Sequence, residues 1–85
     1  MKGRITVTLK PGILDPQGKA IEGALAALGV SGITSVRQGK LFEIELDSSS
    51  AAQAEAALKE AAEKLLANTL IENYCIEVVE REAGG

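Results

Sequence analysis

The run Lys10-Pro11-Gly12-Ile13-Leu14-Asp15-Pro16-Gln17-Gly18-Lys19 is the first place to look for chemistry, because glycines followed by a lysine can cradle a phosphate. The details reject a phosphate loop. Such a loop needs a shorter gap than the one between Gly12 and Gly18, and a Ser or Thr after its lysine, where this chain has Ala20. Pro16 deletes a backbone N–H from the cradle, and Asp15 sets a carboxylate where the phosphate would lie. The densest basic spot is Val36-Arg37-Gln38-Gly39-Lys40. Arg37 and Lys40 can meet an anionic ligand or a partner's carboxylate there, or simply form a solvated turn. Glu43 and Glu45 share one strand face, opposite Phe42, Ile44 and Leu46. Paired carboxylates can do acid–base work, but no neighbouring nucleophile or apolar pocket equips these two, so a polar sheet face or a polar interface is expected. Cys75 lies in an apolar, strand-like segment and has no histidine to activate it, since the chain has none. That absence also removes the commonest general base and metal ligand. No catalytic, cofactor-binding or metal-ligating residues are expected in this chain.

The elements that must position these groups follow from periodicity. Ile5, Val7 and Leu9 alternate with Arg4, Thr6 and Thr8, which predicts a strand over 2–10. Ile21, Ala24, Leu25 and Leu28 then recur at helical spacing, predicting a helix over 15–28. Asp15 caps it, Pro16 suits its first position, and Gly29 closes it. Val30-Ser31-Gly32 is a loop. Residues 33–46 are apolar and β-prone around Gln38-Gly39, and read either as a hairpin turning at Gln38 to Lys40 or as one long, kinked strand. Ser50 and Gln53 form a capping box for a second helix that runs to about Ala67. Its stripe is Ala54, Ala57, Leu58, Ala61, Ala62, Leu65 and Leu66, with Glu55–Lys59 and Glu60–Lys64 as outward pairs. Leu70 and Ile71 put two apolar residues in a connector, a sign of contact with the core or a partner. A last strand spans 73–80, with Tyr74, Ile76 and Val78 on one side, and 83–85 form a disordered tail.

The order strand, helix, strand or hairpin, helix, strand predicts an α+β, ferredoxin-like fold with two helices on one antiparallel sheet. The chain of 85 residues is short enough for a single domain, expected over 1–82. Apolar residues make up 46% but aromatics only 2%, so the core is built from Ala, Leu, Ile and Val, and oligomerisation is a natural source of extra buried area. A net charge of −3 and a lone Tyr and Phe argue against nucleic-acid binding. No membrane span or leader is visible, and a single cysteine suits a reducing compartment, so the cytoplasm is expected. Fold alone does not choose a function. An acylphosphatase-like enzyme would need an arginine in the loop from Lys10 to Gly18, which has none. An ACT-like metabolite-binding regulatory module and a pure interaction subunit both stay open.

The residues themselves resemble one family. Val7-Thr8-Leu9-Lys10-Pro11-Gly12-Ile13-Leu14-Asp15-Pro16-Gln17-Gly18, then Val36-Arg37-Gln38-Gly39-Lys40, then Leu65-Leu66-Ala67-Asn68 with Ile71-Glu72-Asn73-Tyr74, are similar in order and spacing to the PurS subunit of phosphoribosylformylglycinamidine (FGAM) synthase. Thr69 departs from the pattern, where the family commonly has proline. The resemblance implies a PurS-like fold and a subunit of a glutamine-dependent ligase of purine biosynthesis. It implies that a large synthetase subunit uses ATP and magnesium, that a separate glutaminase subunit releases ammonia, and that the small subunit bridges them and shelters ammonia transfer. It further implies a homodimer or tetramer in which the long middle strand joins sheets across subunits. Because local fold physics explains only part of the matching runs, Leu14, Asp15, Gln17, Arg37, Lys40 and Phe42 are the candidate subunit-interface residues.

Overall fold

Alternation along the first strand fixes the sheet. The computed structural model describes residues 1–79. In it β1 (Lys2–Leu9) is central and pairs antiparallel with both β2 (Lys40–Glu45) and β3 (Glu72–Val79), giving the order β2-β1-β3. The register aligns Ile5 with Phe42 and Ile76, and Gly3 with Ile44 and Val78. One sheet face is therefore apolar. The other presents Arg4 between Glu43 (3.7 Å) and Glu77 (3.2 Å), with Thr6 opposite Leu41 and Cys75.

Helix α2 (Ala51–Ala61) crosses the apolar face over β1 and β3. Its start is capped as the sequence predicts, the Ser50 hydroxyl accepting from the Gln53 N–H at 3.1 Å. Ala54 and Leu58 are buried, and Leu58 closes on Gly3 so tightly that a Cβ there would lie 2.4 Å from Leu58 Cδ1. The core is Ile5, Val7, Leu58, Ala62 and Ala67, with Phe42, Ile44, Leu46, Leu66, Tyr74, Ile76 and Val78 half-buried around it. Core size is modest because these are small and aliphatic side chains.

The second helix departs from its predicted course. After Ala61 it widens into a π turn, Ala62–Leu66, in which the Ala67 N–H reaches back to the Ala62 carbonyl at 2.9 Å. The wider turn breaks the helical phase. Leu66 stays near the core, while Leu65, expected on the buried stripe, is 82% exposed. Of the two expected outward pairs, Glu60–Lys64 forms at 3.4 Å.

Helix α1 (Pro16–Ala27) forms where expected and ends in a Schellman closure: Gly29, at φ +81, donates to Ala26 O, and Val30 donates to Leu25 O. Its packing is the surprise. Gly18 is its one buried residue, and Ile21 and Leu28 of its apolar stripe are exposed. Residues 33–39 pair with no strand among the described residues, so β2 begins at Lys40 and neither the hairpin nor a long strand from residue 33 forms within this chain. The fold class is the expected one, three antiparallel strands and two helices, with α1 and the segment after it standing off the body. The expected tail at 83–85 lies outside the described residues.

Candidate functional site

The two runs singled out by sequence meet at the base of α1. Where the chain leaves β1 and where it re-enters β2, polar groups bind the two crossings into a clamp. Asp15 is 6% exposed although it is a carboxylate. Its Oδ1 accepts the Gly18 N–H at 2.9 Å, which is the helix cap. Its Oδ2 accepts the Gln38 N–H at 2.7 Å, which ties the returning segment to the helix start. These two backbone donors, Gln38 first, hold the Asp15 carboxyl below its ordinary value, helped by the Arg37 charge and opposed by burial.

Arg37 makes no ion pair among the described residues. Its guanidinium donates at 3.2 Å to three backbone carbonyls, those of Leu9, Lys10 and Ile13. A planar group with several donors is suited to gathering carbonyls left unpaired where a strand ends. The Gln38 side chain donates to Gln17, and the Val36 N–H donates to Glu22 at 2.8 Å. Backbone approach is very close: a Cβ on Gly18 would lie 2.3 Å from Val36 O, and one on Gly39 would lie 2.7 Å from Val7 O. Gly18 and Gly39 are thus explained by proximity, and Pro16 and Asp15 by capping.

Of the six candidate interface residues, five cluster here and Phe42 lies apart, half-buried on the inner sheet face. Leu14 is 69% exposed, Lys40 is exposed, and Gln17 is exposed with its carbonyl engaged. Asp15 has both oxygens taken within the chain. Spacing signalled the cap but not the second bond to Gln38, because that bond joins residues far apart in sequence. Arg4 was read only as a polar position of the first strand; its ion pairs with Glu43 and Glu77 follow from the β pairing, which the sequence did not show.

Beside the clamp lies a cleft of about 320 Å³, lined by Val7, Leu9, Asp15, Pro16, Gln17, Gln38, Gly39, Lys40 and Glu72. Its lining carries two carboxylates against one lysine and a proline without an N–H, a poor set for a triphosphate. The Tyr74 hydroxyl donates to Glu63 at 2.6 Å, and that carboxylate raises the tyrosine's pKa. Cys75 is exposed on the outer sheet face. Among the described residues no helix is long and apolar enough to cross a membrane.

Comparison with known proteins is consistent across sequence and structure. The family model described as PurS, phosphoribosylformylglycinamidine (FGAM) synthase, matches residues 2–80. A phosphoribosylformylglycinamidine synthase subunit PurS from Synechocystis is 46% identical over 79 residues, covering 93% of this chain and 79% of that protein. The crystal structure of PurS from Methanocaldococcus jannaschii, one of the subunits of formylglycinamide ribonucleotide amidotransferase in the purine biosynthetic pathway, is 32% identical with a TM-score of 0.87, covering 95% of this chain and 98% of that one. A chain in the structure of PurLQS from Thermotoga maritima is 29% identical with a TM-score of 0.83, covering 89% and 93%. The fold, the two matching runs that build the clamp and these relatives agree: the chain belongs to the PurS family of phosphoribosylformylglycinamidine synthase subunits.

Proposed function

We propose that this chain is the small, non-catalytic subunit of the FGAM synthase complex. It bridges the synthetase and glutaminase subunits and aids ammonia transfer in the ATP- and glutamine-dependent conversion of formylglycinamide ribonucleotide to formylglycinamidine ribonucleotide. ATP and magnesium belong to the large subunit. The chain works in the cytoplasm as a homodimer or tetramer. Membership of the family and the likeness to a chain of PurLQS support this reading. One structural observation carries the non-catalytic part: the groups best placed for chemistry are spent on the fold. Both Asp15 oxygens and three donor bonds of Arg37 are taken up inside the clamp. What the site leaves outward is Leu14, Gln17 and Lys40, a surface for contact rather than a reacting centre.

Co-purification with the synthetase and glutaminase subunits tests this, followed by turnover with glutamine and with ammonia. Glutamine-dependent turnover is expected to require this chain. Association with neither subunit would sink the proposal and favour an ACT-like module. Lys40→Glu reverses an exposed charge outside the clamp bonds, and is expected to weaken co-elution with the synthetase without altering the circular dichroism of the isolated chain.

A further inference from the structure

We propose that Leu65, Leu70 and Ile71, where the second helix turns into β3, form the docking surface for the glutaminase subunit, seated in an apolar pocket of that partner rimmed by basic residues. This rests on the bridging role proposed above. The three side chains are 82%, 84% and 39% exposed. Continued α-helical phase would set Leu65 beside Leu58 and Ala62 against the core; the π turn over Ala62–Leu66 turns it outward instead. The turn that carries Leu70 and Ile71 is fastened at each step. Ala67 is buried in the core just before it. The Asn68 carbonyl accepts the N–H groups of Ile71 at 3.0 Å and Glu72 at 2.7 Å, and the Asn68 side chain accepts the Leu70 N–H at 3.2 Å. Glu72 accepts the Asn68 N–H at 2.6 Å, and the Ile71 carbonyl accepts the Lys10 N–H at 2.8 Å. Glu63 ties the π turn to Tyr74 of β3. Leucines held outward on so ordered a frame lose little freedom when covered, and apolar surface displayed this way marks a contact site.

Charge selects the occupant. Glu63 and Glu72 flank the three apolar residues, and their partners are a hydroxyl and a backbone N–H. Neither carboxylate forms an ion pair among the described residues, whereas Lys64 is matched by Glu60 at 3.4 Å. An apolar centre between two uncompensated carboxylates is complementary to an apolar pocket with Lys or Arg at its rim. A second copy offers the wrong sign: the cleft beside the clamp sets Asp15 and Glu72 against Lys40, and the chain's net charge is −3. Sheet order then separates the two unlike partners. Lys40, assigned above to the synthetase, opens β2 at one edge, and this turn enters β3 at the other. A bridge presents one edge to each subunit, which leaves the turn to the glutaminase.

The test mixes the full chain with the synthetase and glutaminase subunits. Leu65→Ala together with Leu70→Ala removes exposed side chains, so circular dichroism and urea unfolding of the chain are expected to stay as they are. In gel filtration of the mixture the glutaminase is expected to leave the complex, its affinity weakened about tenfold or more, while the synthetase stays. Glutamine-dependent turnover is expected to fall and to recover with excess glutaminase, and ammonia-dependent turnover to hold. Leu70→Ser alone, outside the helix, is expected to repeat the loss. Raising ionic strength is expected to weaken glutaminase binding by the unsubstituted chain, and insensitivity to salt would overturn the basic rim. Unchanged glutaminase co-elution in the variants would overturn the docking surface, as would loss of the synthetase or of self-association in its place. An unsubstituted chain that joins neither subunit ends the bridging role and this surface with it. An unsubstituted chain that joins both, with variants that do the same, ends this surface alone.

Discussion

The body and the arm of this small domain are held by different physics. The body, three strands under α2, is held by apolar burial: Ile5, Val7, Leu58 and Ala62 are almost wholly out of water. The arm, α1 with the segment that follows, is held at its base by directional polar bonds to Asp15, Arg37, Gln38 and Glu22. Burial is forgiving of angle and sensitive to volume. A clamp of hydrogen bonds is sensitive to angle and gives little cohesion beyond its own reach, since each bond nets only about 1 kcal/mol. The same chain therefore has a part held by burial and a part held by directional bonds, and substitutions separate the two.

The largest effect belongs to the body. Leu58→Ala removes the side chain that seals Gly3, and should cost about 2–5 kcal/mol, much of a small domain's stability. Urea unfolding followed by circular dichroism should show strand and helix signals lost together. Retention of a native body would show that the arm contributes more cohesion than its exposure implies.

Gly18→Ala comes next and strikes the arm. Ala gains helix propensity of about 1 kcal/mol over Gly. Against that, its Cβ would sit 2.3 Å from a backbone carbonyl that cannot swing away, and overpacking costs about 1–3 kcal/mol, so the clash wins. Hydrogen exchange should quicken around residues 15–22 and 36–38 and stay unchanged in β1 and β3. A uniform rise across the chain would mean that arm and body unfold as one unit.

A gentler perturbation is acid. The folded pKa of Asp15 is depressed below 3.8, by the Gln38 N–H first and then by the Gly18 N–H. A depressed carboxyl contributes stability that is fully present above the unfolded value and is lost as pH falls through the folded one. Exchange at Gln38 and Gly18 should therefore quicken only in acid below the ordinary carboxylate range, ahead of β1. Asp15→Asn should abolish that acid step. An unaltered step in the variant would assign it to another carboxylate.

Much of this comparison was legible in the residues, and the rest was hidden for physical reasons. Asp15, Pro16 and Gly29 marked the ends of α1, and Ser50 with Gln53 marked the start of α2, because caps are local chemistry. The inward sets Ile5–Val7 and Tyr74–Ile76–Val78 followed from strict alternation. Periodicity states which side chains seek burial and is silent on what buries them. The stripe Ile21–Leu25–Leu28 was therefore visible, while the exposure of Ile21 and Leu28 within the chain was not. Arg37 looked like a ligand group because the carbonyls it gathers, Leu9, Lys10 and Ile13, are remote in sequence. Leu65 was misplaced because a single π turn shifts the phase of every later position.

The smallest expected effect is at Cys75, and its value lies in being null. The thiol is exposed on the outer face of β3, opposite Thr6, away from both the core and the clamp. A nucleophilic cysteine needs a lowered pKa from a neighbouring cation or a paired histidine. The chain has no histidine, and Arg4, two residues from Thr6 on that face, is already engaged by Glu43 and Glu77. Cys75→Ala should leave unfolding and glutamine-dependent turnover of the reconstituted complex unchanged. Lost turnover with an intact complex would give the outer sheet face a chemical role that neither body nor arm supplies. Lost assembly would instead make that face a third region, a contact surface distinct from the clamp and from the exposed stripe of α1.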